Sequence, residues 1–125
     1  MKFRTFLAAA VLATAVVVPA ASGTAAAAPT HAGYTGPCHA AVDAYWPAGL
    51  QAWAHRIVHR ESRGVPTAAN RRSSARGCFQ MLLRYSSPFY RAAGCSNAQW
   101  ANATCNVRAA YAMYRKAGAR PWRTY

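Results

Sequence analysis

Acidic side chains are almost missing from this chain. Asp43 and Glu61 are the only two in 125 residues, against fifteen lysines and arginines. Chemistry that needs a pair of carboxylates has no choice beyond these two, and two-carboxylate glycosidases require a set separation between them. Asp43, in Val42-Asp43-Ala44-Tyr45 before Pro47, suits a helix cap or an arginine partner equally well. Also missing is any C-x-x-C spacing among the four cysteines, which argues against a zinc site. After residue 28 no apolar run approaches the length of about 20 residues that spans a bilayer. There are no internal repeats, no convincing alternating strand and no aromatic-flanked basic stripe. Specific nucleic-acid recognition is therefore not expected.

What is present begins with an address. Lys2 and Arg4 precede the apolar run from Phe6 to Val18. Pro19 breaks that run, and Ala25-Ala26-Ala27-Ala28 offers an A-x-A cleavage site. Residues 1–28 read as a secretory signal peptide, 29–37 as a flexible lead-in, and 38–125 as one folded domain. Export makes four cysteines, Cys38, Cys78, Cys95 and Cys105, read as two disulfides. Three pairings are possible. The short local loop favours Cys95–Cys105, which leaves Cys38–Cys78 to tie the start of the domain to its middle. A domain this small gains from such staples, because its core is modest.

Without Lys2 and Arg4 the mature part carries a net charge of +11, almost all of it arginine. A field of that sign gathers polyanions, including wall polymers and anionic lipid, without naming a reaction.

The best-defined helix runs from Ala48 to Glu61. Leu50, Trp53, Ala54, Ile57 and Val58 form one apolar face, while His55, Arg56, His59 and Arg60 fall off it. Gly64 and Pro66 end it. A polar loop, 67–77, and a short apolar run, Cys78 to Leu83, follow. Ser87-Pro88 reads as a cap opening a short helix that ends at Gly94. Asn97 to Asn102 suggests a helical turn. Val107, Ala110, Tyr111 and Tyr114 mark a last helix stopped by Gly118. The fold class is all-α, a small helical domain tied by two disulfides.

Glu61 breaks the packing rules. It continues the apolar face of its helix and lies in the last turn, where the negative end of the macrodipole opposes a carboxylate. Apolar neighbours and the helix end both favour the protonated acid, the form needed for general-acid cleavage of a glycosidic bond. The helical wheel turns Arg60 away from it. A lone acid also narrows the mechanism: neutral groups place the water, or the substrate supplies its own nucleophile.

The segment Glu61-Ser62-Arg63-Gly64-Val65-Pro66-Thr67-Ala68-Ala69-Asn70, followed by Ser73-Ser74-Ala75-Arg76-Gly77-Cys78-Phe79-Gln80, resembles the signature of soluble-type lytic transglycosylases and goose-type lysozymes. Asn106 to Tyr111, then Gly118 and Pro121-Trp122, resemble the closing helix of that family and its exit. The resemblance implies a lysozyme-like fold and, as substrate, peptidoglycan glycan strands. It implies that Glu61 protonates the oxygen between N-acetylmuramic acid and N-acetylglucosamine. The same residue then acts as base on the muramic C6 hydroxyl, giving a 1,6-anhydro end with help from the substrate's N-acetyl group. Ser62 would orient the acid or the N-acetyl group, Gln80 would line the glycan cleft, and Asn70 and Ser74 would stand in its wall. Cys78 occupies the usual leucine position. The A-Y-N-A-G motif of larger transglycosylases is absent, with Tyr111 or Tyr114 as spatial substitutes. Hydrolytic muramidase activity therefore stays open beside the transglycosylase.

Trp122, beside Pro121, is the candidate for a sugar-stacking wall, and Trp53 belongs to the core. His55 and His59 have a spacing that can hold a metal but lack a third ligand, so solvated histidines and no metal are expected. No cofactor is called for. The expected protein is a secreted, extracellular or wall-associated monomer that also meets anionic wall polymers. The competing classes are a cationic wall-binding or antimicrobial protein, in which Glu61 is incidental, and an extracellular binder of nucleic acid or polyphosphate.

Overall fold

The computed structural model describes His31 and residues 33–123. The expected signal peptide lies outside the described residues. The chain is mostly helical: α1 Pro37–Tyr45, α2 Ala48–Ser62, α3 Leu83–Ala92 and α4 Ala103–Ala117, with single 3₁₀ turns at Asn97–Gln99 and Arg120–Trp122. No helix among the described residues is long and apolar enough to cross a membrane.

Helix α2 forms on the apolar face read from its periodicity, with Ala54, Ile57 and Val58 buried. It runs one residue past the expected end, into an Arg63 cap in the left-handed region. Helix α4 starts at Asn102, whose side chain accepts from the Cys105 backbone N–H, and stops at Gly118 with φ 62°. Helix α1 opens on Pro37, so the ordered domain reaches into the expected lead-in.

Two expectations need correction. Helix α3 begins at Leu83, not at Ser87-Pro88, and Pro88 lies inside it. Its start is fixed earlier, where Leu83 N–H donates to Ser74 O and Asn97 Nδ2 donates to Leu83 O. There is also a small sheet. Strands β1 Ala75–Arg76 and β2 Met81–Leu82 pair antiparallel, with Ala75 opposite Leu82 and Arg76 opposite Met81. Strands of two residues are too short to show an alternating pattern, so periodicity could not reveal them.

The core is aromatic. Trp46, between α1 and α2, is buried, stacks on Phe79 at 5.2 Å and donates its indole N–H to Val107 O of α4. Trp53, half-buried, packs on Trp46, Tyr114 and Trp122. Disulfides join Cys38 to Cys78 and Cys95 to Cys105. The first ties α1 to the segment before Phe79, and the second ties the end of α3 to α4.

Candidate functional site

The turn between β1 and β2, residues 77–80, carries Gln80 and is bonded to Ser62 through Cys78 O. Gly77 has φ 80°, and a Cβ there would lie 2.3 Å from Asn106 Nδ2 and 2.6 Å from Trp100 O. Only glycine fits such a place. Asn106 of α4 is buried and ties the turn to its neighbours by three bonds. Its Oδ1 accepts from Phe79 N–H, and its Nδ2 donates to Arg76 O and Tyr90 Oη. Burial pushes the Tyr90 phenol up to about 12, partly offset by the Asn106 bond, so it remains a neutral partner. Asn106→Ala removes two buried bonds and one part-buried bond and should cost about 3 kcal/mol. Urea unfolding with both disulfides intact measures this, and a loss under about 1 kcal/mol would show that the turn does not depend on Asn106.

Ser62 is buried at the end of α2. Its hydroxyl lies 2.8 Å from Cys78 O and 3.0 Å from Val58 O, and it accepts from Gly64 N–H. It thus clamps the helix end to the turn and makes no bond to Glu61. Gln80 adopts φ 50°, and its amide donates to Ala68 O and Gly77 O. Asn70 is exposed and closes its own turn by accepting from Arg72 N–H. Ser74 receives Leu83 N–H on its carbonyl and faces Arg84 N–H with its hydroxyl at 3.4 Å.

Glu61 sits in the last turn of α2, its side chain 26% exposed. Contrary to the helical wheel, Arg60 reaches it: Nε and one terminal nitrogen lie 3.1 and 2.9 Å from Oε1. That guanidinium also donates to the backbone carbonyl of Trp122. The wheel gives the direction of Cβ, whereas a long arginine stem can bend across to an adjacent residue. The carboxylate is therefore partly exposed and paired with a guanidinium at the edge of the fold, in place of the dry setting expected for it.

Beside this edge runs a groove of about 640 Å³ lined by Gln80, Tyr85, Phe89 and Trp122 among others, with Lys116 and Arg120 supplying positive charge. Trp122 is buried and donates its indole N–H to Phe79 O. It also lines a second hollow of about 310 Å³ with Trp53, Arg60 and Arg123. Gln80 and Trp122 thus share a groove. Glu61, Ser62, Asn70 and Ser74 are not part of its lining, and Glu61 is linked to it through Arg60 and Trp122. Sequence reasoning missed Tyr85, 62% exposed, and the cations Lys116 and Arg120. An aromatic just past an apolar run was the available signal for the first.

The histidines also depart from expectation. His59 is exposed, but His55 is fully buried. Its Nε2 donates to Asp43 Oδ1 at 2.7 Å, and its Nδ1 shares a 2.7 Å hydrogen bond with Nδ1 of His39. Asp43 is neither a cap nor an arginine partner. Helix α1 covers the side of α2 that the wheel had assigned to solvent. Burial, then the nearby His55 and His59, lower the His39 pKa from 6.5 to about 4, with Asp43 opposing. A lowered folded-state value means stability that is present above pH 6.5 and falls away as pH drops toward 4. The midpoint of thermal unfolding should decline across that window, and His39→Gln should flatten the decline.

Compared with known proteins, the chain matches no family model, no curated protein sequence and no solved structure.

Proposed function

We propose that the chain is a secreted peptidoglycan-cleaving enzyme of lysozyme-like type, a lytic transglycosylase with Glu61 as its single acid and base. The observation that carries this reading is that two of the signature residues, Ser62 and Gln80, meet at one turn. Ser62, one residue from the acid, is bonded to Cys78 O, and Gln80, two residues further on, lines an aromatic groove. Apolar rings with a few placed polar groups are the usual lining of a small-molecule or sugar site. Lys116 and Arg120 add attraction for the carboxylates of wall peptides.

The chemistry sets one demand on this geometry. Glu61 must be protonated to give its proton to the bridging oxygen, so Arg60 must release Oε1 when the glycan binds. With the leaving sugar gone, the carboxylate takes the proton of the muramic C6 hydroxyl as that oxygen closes onto C1. The Arg60–Glu61 pair equally favours a second reading, a cationic wall-binding protein in which this ion pair is merely part of the surface. Mass analysis of fragments released from purified sacculi separates the possibilities. Anhydro-muramic ends support the transglycosylase, reducing ends support a muramidase, and wall binding without fragments supports the cationic binder.

A further inference from the structure

The four histidines of the chain cluster here: His39, His55 and His59 lie around the ring of Tyr34, and His31 packs on His55. Three groups within this cluster have the makings of a metal centre. One ligand atom each from His31, Asp43 and His55 lies within 4.8 Å of the others. His31 Nε2 is buried and has no hydrogen-bond partner among the described residues. His55 is fully buried, whereas the Asp43 side chain is 53% exposed.

From this arrangement we infer that His31, Asp43 and His55 bind a divalent transition-metal ion of the zinc class. Two imidazoles and one carboxylate are an N,N,O set suited to such ions and not to magnesium or calcium, which take oxygen ligands. Tetrahedral ligands about 2.0–2.1 Å from zinc stand about 3.4 Å apart. Binding therefore opens the 2.7 Å contact between His55 Nε2 and Asp43 Oδ1 slightly and draws His31 inward. With its Nε2 on the ion, neutral His55 carries its proton on Nδ1 and donates it to His39 Nδ1, already 2.7 Å away. That is the outer hydrogen bond that orients metal-bound imidazoles elsewhere. Three protein ligands leave a fourth position for water on the open Asp43 side.

The consequence is mechanical. His31 comes from the segment ahead of α1, while Asp43 and His55 come from α1 and α2. The ion would fasten that segment across both helices, where Tyr34 already stacks on His39 and His55 at 4.8 and 5.3 Å.

The test is titration calorimetry of the oxidised chain, without a polyhistidine tag, against zinc chloride. One equivalent should bind, and His31→Ala and Asp43→Asn should each weaken binding more than about tenfold. Both changes spare the core, and circular dichroism checks that each variant folds. His59→Ala and Glu61→Gln should bind zinc like the parent, so this result is separate from any result on glycan cleavage. Absence of saturable zinc binding would overturn the inference. So would retention of binding in either ligand variant, loss in His59→Ala, or equal uptake of magnesium.

Discussion

Glu61→Gln is expected to lower the release of soluble fragments from purified sacculi by about 10²–10⁴-fold, the usual worth of a positioned acid or base. The amide keeps the size of the side chain and can still accept from Arg60, but it has no proton to give the bridging oxygen. Folding should be unaffected, because the residue is partly exposed and its one ion pair is with an exposed arginine. Wall binding should also survive, since the change adds one positive charge to a chain already at +13. Arg60→Gln is the counterpart: it leaves the acid and removes the guanidinium paired with it, so cleavage should persist. Equal cleavage by Glu61→Gln and the parent would remove Glu61 from the chemistry. A parent that binds walls and releases nothing would leave the arginine field as the functional part.

Local order was legible where one element dictates it. The apolar stripe of α2 lies within a single helix, so a wheel finds it. Gly118 stops α4 because its φ is positive, a local property of the residue. The cysteine loops could be ranked by length, and the favoured pairing is the one formed. Relations between distant segments were not legible. His55 looked solvated until α1 closed over it, and nothing near residue 55 announces His39 or Asp43. Asn106 gave no sign of its three bonds, because its partners lie 16 to 30 residues away. The site was half legible for the same reason. Gln80 and Trp122 line one groove, but the side-chain bend that brings Arg60 onto Glu61 lies outside what Cβ directions can tell.

Loss of the Cys38–Cys78 disulfide should cost more than loss of Cys95–Cys105, in stability and in activity alike. The first closes a separation of 40 residues and the second one of 10. Loop-closure entropy in the unfolded chain then predicts about 4 against about 2.7 kcal/mol. Four is a large share of the 5–15 kcal/mol that holds a typical domain together. Position should widen the gap in activity. Cys78 O faces the Ser62 hydroxyl, and the next peptide N–H is the one Asn106 accepts from. Cutting the first bridge thus loosens α1 from the turn that carries Gln80 and steadies the helix end at Glu61. Cutting the second frees only the junction of α3 with α4. Paired Cys→Ala variants, compared by urea unfolding and by fragment release from sacculi, test both halves. If the 95–105 variant proved the less stable, native-state strain and not chain entropy would govern these bridges. If both variants cleaved equally well, the turn would hold its shape without help from α1, and Asn106 would be its sufficient support.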